Sequence, residues 1–329
     1  MPLTDKYNRN LNYLRISITD RCNLNCLYCK PNIFIPKLTH DEILRYEEII
    51  RLIKIFIKLG VEKVRVTGGE PLVRKGVCDF LKRLSEFEQL TDISLTTNGI
   101  LLKDNINKIK SAGIKRINIS LDTLKKEKFE KIAGKKGFEK VWDGIITAYQ
   151  LGFNPVKINV VALKGINDKE LINFANLTYN YPFQIRFIEY MPISAKNGEV
   201  KKYSILTEQI KEKIASAGKL YEIKSDKNAG PAKLYKLEGA KGEIGFISPI
   251  SGHFCAECNR LRLTAKGNLR TCLLSPEETD LAALIRAGAS DDEIIEAIYK
   301  AVSKKQKEHG LTAANQTSGE CGQMSAIGG

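Results

Sequence analysis

The stretch that decides the fold is Leu14-Arg15-Ile16-Ser17-Ile18-Thr19-Asp20-Arg21-Cys22-Asn23-Leu24-Asn25-Cys26-Leu27-Tyr28-Cys29. Its first half alternates apolar and polar side chains and is rich in isoleucine, which predicts a β-strand over residues 14–19. Its second half is a C-x3-C-x2-C loop that follows this strand directly. Three thiolates this close together can bind three irons of a [4Fe–4S] cluster and leave the fourth iron open for a small molecule.

Zinc is the alternative for this loop. A structural zinc site usually has four protein ligands, and the next histidine, His40, lies eleven residues beyond Cys29. Three close thiolates after a strand suit iron–sulfur chemistry better. The motif therefore indicates a cluster with Cys22, Cys26 and Cys29 as metal ligands.

Outward from this loop, strand-like and helix-like segments alternate. The predicted strands cover residues 14–19, 63–67, 92–96, 116–121, 156–163 and 184–189, and the predicted helices cover 39–59, 76–87, 101–112, 137–151 and 168–179. This alternation predicts an α/β fold with a parallel sheet, an incomplete (β/α)6-type TIM barrel. Polar or glycine-rich tips such as Gly68-Gly69-Glu70-Pro71 follow the strands, and the parallel topology directs these tips to one cavity.

The pattern changes after Pro192. A polar stretch leads to a predicted helix at 207–217, then to short strands at 220–223, 233–237 and 243–247, and later to a helix at 291–307 with a basic end. We therefore expect a partial barrel over residues 1–192 and a smaller α+β domain over 193–311. A flexible tail over 312–329, ending in Gly328-Gly329, completes the expected organisation.

A second cysteine group, Cys255-Ala-Glu-Cys258 followed by Cys272, frames a predicted hairpin. Its spacing fits a zinc ribbon, with His253 as the nearest fourth ligand. The same three thiolates also fit a second iron–sulfur cluster with an open iron. The spacing alone leaves both metals open.

The hairpin between these cysteines carries Arg260 and Arg262, which alternate with leucines and so share one face. Paired guanidinium groups suit phosphate because each binds two oxygens in a fork. The whole chain is basic, with 52 Lys and Arg against 38 Asp and Glu, a formal charge of +14. This balance fits an anionic substrate, nucleic acid or a solvated lysine-rich surface, and the absence of a dense basic stripe disfavours nucleic acid.

The chain has eight cysteines, no apolar run long enough to span a bilayer, and a polar first ten residues. These features predict a cytoplasmic protein whose cysteines are metal ligands or catalytic groups rather than disulfides. Cys78 and Cys321 stand outside both groups. Cys78 is expected to be a small core residue.

The first cysteine loop, together with Gly68-Gly69-Glu70-Pro71, resembles the signature of radical S-adenosylmethionine enzymes. Further segments at 14–17, 65–71, 95–99, 117–122, 157–161, 186–191, 255–272 and 327–329 are similar, in order, to the GTP 3′,8-cyclase family, which performs the first step of molybdenum cofactor biosynthesis. The resemblance implies S-adenosylmethionine and two [4Fe–4S] clusters as cofactors. It assigns the second cluster to Cys255, Cys258 and Cys272 and directs its open iron at the guanine of GTP.

The resemblance also implies roles for individual residues. S-adenosylmethionine would contact Tyr28, Gly69, Ser120 and Met191. GTP would contact Arg15, Arg65, Thr96, Lys157, Arg186, Arg260 and Arg262. Catalytic roles would fall on Arg260, Arg262, Gly328 and Gly329.

The partners that the resemblance implies are an electron donor such as flavodoxin or ferredoxin, and the next pathway enzyme, cyclic pyranopterin monophosphate synthase. A homodimer is compatible with it, whereas membrane and nucleic acid are not expected. Two other functions remain as alternatives. One is a radical enzyme that modifies peptides and carries an auxiliary cluster, and the more remote one is a zinc-containing nucleic-acid-binding protein.

Overall fold

Twelve strands form one continuous sheet, with the order β12-β11-β10-β1-β2-β3-β4-β5-β6-β9-β8-β7. The structure is a computed structural model that describes residues 2–29, 36–191, 193, 202–224, 230–252, 254–309 and 324–328. The strands are β1 (Tyr13–Ser17), β2 (Lys63–Thr67), β3 (Asp92–Thr97), β4 (Arg116–Ser120), β5 (Lys157–Ala162), β6 (Gln184–Glu189), β7 (Leu220–Ile223), β8 (Lys233–Leu237), β9 (Glu243–Ile247), β10 (Arg260–Leu263), β11 (Asn268–Arg270) and β12 (Thr279–Asp280). Strands β1 to β6 pair in parallel in chain order, which confirms the predicted incomplete barrel.

The helices lie between the strands, as the alternation predicts. They are α1 (Tyr46–Lys58), α2 (Val77–Ser85), α3 (Leu102–Ser111), α4 (Lys126–Ala133), α5 (Phe138–Gln150), α6 (Leu171–Asn180), α7 (Thr207–Ala215), α8 (Leu281–Arg286), α9 (Asp291–Ser303) and α10 (Met324–Ile327). Short 3-10 helices cover Pro71–Val73 and Cys255–Glu257. Within the described ranges, no helix combines the length and the apolar character needed to cross a membrane.

The first helix is shorter than the sequence predicts. The helical pattern suggests a start at residue 39, but α1 begins at Tyr46. The backbone N–H of Arg45 donates to Glu48 Oε2 at 2.6 Å, which ends the preceding segment and caps the helix. Upstream, Thr39 bonds to Glu42 in a local turn, and the Leu44 N–H donates to the Ala265 carbonyl.

One face of the sheet packs against the helices and forms the core. Alternate residues of the parallel strands, including Leu14, Ile16, Val64 and Val66, are completely buried on this face. Burial of each such aliphatic side chain contributes about 1.5–3 kcal/mol to the free energy of unfolding. The opposite face, which lines the barrel interior, is polar.

The segment after residue 193 extends the barrel sheet at both edges. β10 pairs in parallel with β1, and β9 pairs in parallel with β6. The C-terminal α+β region therefore continues the sheet of the barrel, and the boundary at 192 stays a prediction. Its last long helix, α9, ends at Ser303, four residues before the end that the sequence pattern suggests.

The tail is described only in its last part. The sequence predicts flexibility from residue 312, but Met324–Ile327 forms the short helix α10, and Ile327 is buried against Ile193. Residues 310–323, which include Cys321, lie outside the described residues, as do His253 and Gly329.

Candidate active site

The interior face of the barrel is built by the strand register. Arg15 pairs in register with Arg65 on one side and with Arg262 on the other. Side chains alternate along a strand, so in-register residues of neighbouring strands share a face. Followed across the parallel strands, this register places a belt of charged residues on the interior face, namely Arg15, Lys63, Arg65, Asp92, Arg116, Lys157, Arg186, Glu243, Arg260 and Arg262.

This interior belt is strongly positive. Eight of its members are basic and two are carboxylates, an excess of six positive charges when every basic group is protonated. Asp92 accepts from Lys63 at 2.9 Å and from Arg116 at 2.6 Å. The other carboxylate, Glu243, accepts from the Gln184 amide at 2.6 Å. Because the belt holds fewer carboxylates than basic residues, the interior attracts a polyanion.

Burial and neighbouring cations lower the pKa values of several basic residues in the interior belt. Burial, followed by the neighbouring Arg186 and Arg116, lowers the pKa of Lys157 to about 6. Burial and Arg65 lower the pKa of Arg186 to about 9, and burial and Arg260 lower that of Arg262 to about 10. Each shift is a free-energy cost of placing like charges together in a buried site. A bound anion would remove that cost.

Three neutral polar atoms on the same face have no hydrogen-bond partner among the described residues. They are the Tyr13 hydroxyl, Thr96 Oγ1 and Asn159 Oδ1, and all three are buried. Buried polar groups are nearly always hydrogen-bonded in folded proteins. These atoms therefore indicate the position of a polar ligand in the barrel.

The first cysteine loop lies at the carboxyl end of β1. Cys22 Sγ accepts from the Leu24 N–H at 3.4 Å and from Asn98 Nδ2 at 3.6 Å. The loop is anchored to the end of α4, because Asn25 N–H donates to the Ala133 carbonyl at 2.8 Å and Leu27 N–H donates to Ile132 at 2.9 Å. Backbone bonds on both sides thus hold the three thiols at the mouth of the barrel.

The thiols of this loop suit an iron–sulfur cluster. Burial, and then the neighbouring Cys29, raises the pKa of Cys26 well above its ordinary value. Three thiolates are therefore unfavourable there without bound cations. No three His, Cys, Asp or Glu side chains of the described residues are placed to share one metal ion. A cubane needs no such shared ion, because it binds each thiolate at a different iron.

A small cavity beside this loop unites several predicted cofactor contacts. Its lining includes Cys26, Tyr28, Asn98, Ser120 and Asp122. The Tyr28 hydroxyl donates to Asp122 Oδ2 at 2.6 Å. Burial raises the pKa of Asp122 to about 6, although Tyr28 and the Val161 N–H partly stabilise its carboxylate. Asn98 and Asp122 lie in the segments 95–99 and 117–122 that resemble the family. Neither residue was predicted to contact a ligand.

The other two predicted cofactor contacts lie elsewhere around the loop. Gly69 N–H donates to the Thr19 carbonyl at 2.7 Å, which joins the tips of β1 and β2. Met191 packs beside Ile193 and Ile327, in a small apolar cluster near the tail. The structure therefore brings Tyr28 and Ser120 together in one cavity and places Met191 beside the tail helix.

Gly69 is required by a close backbone approach. A Cβ at this position would lie 2.4 Å from the carbonyl oxygen of Arg21 and 2.7 Å from its carbonyl carbon. We expect Gly69→Ala to lower the free energy of unfolding by about 1–3 kcal/mol, because backbone atoms must move. Gly230→Ala is the matched control, since a Cβ there meets nothing within 4 Å. Thermal unfolding of both variants tests this, and equal melting temperatures would contradict it.

Glu70, the next residue, ties the tips of β2 and β3 together, although the sequence pattern assigns it no role. Its buried carboxylate accepts from Leu72 N–H at 3.0 Å, Thr97 Oγ1 at 2.8 Å and Asn98 N–H at 2.6 Å. Burial raises its pKa to about 7 despite these donors. The residue thereby fixes the glycine-rich turn against β3.

The second cysteine group lies at the opposite end of the barrel strands. β10 runs parallel to β1 and pairs Arg260 with Tyr13, so Cys258 is at the amino end of these strands whereas Cys22 follows their carboxyl end. Burial alone would raise the pKa of Cys258, but Arg260 and Lys305 lower it to about 7. Burial, and then nearby groups that include Cys272 and Cys258, raises that of Cys255. Cys258 suits iron, because the neighbouring cations already favour its thiolate.

The hairpin connects this cysteine group to the tail. β10 and β11 pair antiparallel around a turn at Gly267, as predicted. Arg262 is 5% exposed and donates through Nη1 to the Gly328 carbonyl at 2.6 Å. A Cβ on Gly328 would lie 2.7 Å from Thr67 Cγ2, and its φ is +83°. The tail therefore reaches the barrel interior at the carboxyl ends of β1 and β2.

Four residues of the barrel interior and the second cysteine group were not predicted from the sequence. Lys63 and Arg116 belong to the charged belt, and Arg9 and Lys305 contact the second cysteine group. The alternation of polar and apolar residues along β2 and β4 would have indicated Lys63 and Arg116. The signal for Arg9 and Lys305 is absent, because both act from segments distant in sequence.

Comparison with known proteins agrees with this geometry. Residues 16–178 match the Radical SAM superfamily, and residues 183–311 match Molybdenum Cofactor Synthesis C. The chain is 48% identical over 305 residues to a GTP 3′,8-cyclase of Thermodesulfovibrio yellowstonii, covering 92% of this chain and 94% of that protein. It is 44% identical to molybdenum cofactor biosynthesis protein 1 of Bos taurus, covering 93% of this chain and 48% of the bovine protein.

A solved structure supports the fold. Streptococcus suis SuiB bound to S-adenosylmethionine superposes with a TM-score of 0.64 at 14% identity, covering 91% of this chain and 69% of that chain. This likeness concerns the architecture alone. The extent and identity of the sequence matches show the family, as the cysteine and glycine motifs predict, so the chain belongs to the GTP 3′,8-cyclase family of the radical SAM superfamily.

Proposed function

We propose that this chain converts GTP to 3′,8-cyclo-7,8-dihydro-GTP in the first step of molybdenum cofactor biosynthesis. The observation that carries the proposal is the interior belt, which holds six excess positive charges between two cysteine triplets at opposite ends of the strands. A triphosphate supplies the missing negative charge, and the triplets supply a radical source and a second iron site. The membership of the chain in the GTP 3′,8-cyclase family supports the same substrate.

The first triplet is the proposed site of the cofactors that generate the radical. When bound there, a [4Fe–4S] cluster and S-adenosylmethionine supply the 5′-deoxyadenosyl radical that takes hydrogen from C3′ of GTP. Tyr28, Gly69, Ser120 and Met191 orient S-adenosylmethionine. The hydrogen bond from Tyr28 to Asp122 fixes the ring over the cavity beside Cys26.

The belt positions the substrate. Arg15, Arg65, Lys157, Arg186, Arg260 and Arg262 neutralise the triphosphate, and Thr96 donates its otherwise unpartnered hydroxyl. Held in this way, C3′ of the ribose lies near C8 of guanine, and these atoms form the new carbon–carbon bond. One further electron and one proton complete the product. The barrel wall excludes water from the radicals.

The second triplet is the proposed site of another [4Fe–4S] cluster, which Cys255, Cys258 and Cys272 would hold and which would supply an open iron for the guanine. Arg260 and Arg262, the members of the belt on β10, follow Cys258 closely in the chain and assist the late reduction. The Gly328 carbonyl orients Arg262. Gly329, which lies outside the described residues, shares the proposed catalytic role of the tail. We also propose that the protein is cytoplasmic and that a flavodoxin or ferredoxin reduces it. Its product would pass to cyclic pyranopterin monophosphate synthase. A homodimer is compatible with this function.

The function is tested by anaerobic assay of the purified full-length protein with S-adenosylmethionine, a reductant and GTP. We expect about eight irons per chain, four for each cluster, and release of 5′-deoxyadenosine that depends on GTP. ATP in place of GTP is the matched control and should give little release. Release that is indifferent to the nucleotide would contradict the proposal and favour the peptide-modifying alternative, and a zinc protein without iron would contradict it outright.

Substrate binding should take up a proton at pH 8. Lys157 has a pKa of about 6 in the free site and is neutral at pH 8, and a bound triphosphate returns this pKa towards 10.5. Affinity should therefore fall as pH rises above 6, while GTP itself is fully ionised at pH 8. Calorimetry in buffers of different ionisation enthalpy should give an uptake of about one proton, and Lys157→Met should abolish it. A buffer-independent enthalpy for the wild-type protein would contradict this.

A further inference from the structure

Lys305 is a buried cation beside the second cysteine group. It follows α9 and is 3% exposed. Its Nζ donates to the carbonyls of Thr271 and, at 3.4 Å, Arg260, and lies 3.9 Å from Cys258 Sγ. Thr271 directly precedes Cys272, so one ammonium group bridges the two halves of the cysteine group.

A second contact fixes the segment that carries this lysine. Arg9 donates to the Cys255 carbonyl at 2.6 Å, to the Lys307 carbonyl at 2.9 Å and to the Gln306 carbonyl at 2.7 Å. It also pairs with Asp5 at 2.6 Å. The guanidinium thus joins the 306–307 backbone to Cys255, and its own charge is balanced by Asp5. Lys305 is held in place from both sides.

The charge of Lys305 has no carboxylate among its described contacts. Its contacts are two backbone carbonyls and a cysteine sulfur. A buried cation is costly without an anionic partner. Thiolates that carry an iron–sulfur cluster are such a partner, and Cys258 supplies the sulfur atom that Lys305 contacts.

We infer that Lys305 is a positioning residue for the second cluster, which it holds together and whose reduced form it stabilises. The inference rests on the proposed function, because it requires a cluster at Cys255, Cys258 and Cys272. Reduction adds negative charge to a cluster, so a fixed positive charge and a hydrogen bond to its sulfur raise the reduction potential. A cluster at the first cysteine group would be unaffected, because that group lies at the other end of the strands.

The test compares Lys305→Met with Lys305→Arg and Lys304→Met. Arg keeps the charge, whereas Lys304 is the exposed neighbour and the matched control. Each full-length variant is reconstituted anaerobically, its iron is counted, and both clusters are titrated by electron paramagnetic resonance. The signal that changes on adding S-adenosylmethionine belongs to the first cluster and serves as an internal reference.

We expect Lys305→Met either to lose the second cluster or to shift its midpoint to a more negative potential. The shift should be at least about tenfold in the equilibrium constant for one-electron reduction, or about 59 mV. Lys305→Arg should keep about eight irons and most of the wild-type potential, and Lys304→Met should change neither. A reference signal that stays constant separates this effect from general misfolding.

Two results would overturn the inference alone. One is Lys305→Met with full iron and an unchanged second potential, and the other is Lys305→Arg behaving as Lys305→Met. A wild-type protein with about four irons, all sensitive to S-adenosylmethionine, would instead remove the second cluster and the proposed function with it.

Discussion

Cys26→Ala should reduce the iron content from about eight to about four per chain and abolish cleavage of S-adenosylmethionine. Cys26 lies at the centre of the first loop, where burial and Cys29 raise its pKa, and it lines the cavity shared by Tyr28 and Ser120. The remaining two thiols cannot hold a cubane that three thiols bind. Iron analysis and chromatography of 5′-deoxyadenosine measure both effects.

Two further cysteine variants give this prediction its controls. Cys78→Ala should keep about eight irons, since Cys78 belongs to α2 and packs against the core. Cys272→Ala should also lose about four irons but should retain the first-cluster signal that changes on adding S-adenosylmethionine, because it affects the triplet at the opposite end. Full iron in Cys26→Ala, or the same loss in Cys78→Ala, would contradict the assignment of the first triplet.

Arg262→Ala should weaken GTP binding by about 30-fold or more. Removal of one partner from a buried, hydrogen-bonded charge pair typically costs about 2–5 kcal/mol of binding free energy. Arg262 is buried, stands in register with Arg15 and donates to the Gly328 carbonyl. The substitution removes both a proposed phosphate ligand and the contact that holds the tail. Calorimetric titration with GTP measures the loss.

Arg83→Ala is the matched control, because this arginine is on the surface in an exposed pair with Glu47. Its removal should leave GTP affinity unchanged. Arg262→Lys should recover part of the affinity, since it restores charge without the guanidinium fork. An Arg262→Ala protein that folds and binds GTP as tightly as Arg83→Ala would exclude Arg262 from the substrate site.

Much of the fold could be predicted from the sequence because the strands and the loops are local patterns. The six barrel strands follow from alternation, and Cys22, Cys26 and Cys29 follow from a contiguous motif. The start of α1 could not be predicted, because residues 39–45 look helical but are held by Glu42 and by the Ala265 carbonyl. That last contact joins segments more than two hundred residues apart.

The interior belt could be predicted only in part. The family resemblance implied GTP contacts for Arg15, Arg65 and Arg186 and for the two hairpin arginines, but the excess of six basic groups depends on strand register. Lys63 and Arg116 enter the belt in this way. Arg9 and Lys305 reach the second cysteine group through tertiary contacts that no local pattern encodes. Met191 packs with Ile193 and Ile327 beside the tail helix, and its contact with S-adenosylmethionine stays a prediction.

The central claim is that this chain generates a radical which takes hydrogen from C3′ of GTP bound in the positive interior of the barrel. It is tested most directly with GTP that carries deuterium at C3′, using the anaerobic full-length protein, S-adenosylmethionine and a reductant. Mass spectrometry of the released 5′-deoxyadenosine should show one deuterium, and GTP labelled only at C8 should transfer none. Unlabelled 5′-deoxyadenosine from the C3′-labelled substrate would contradict the account.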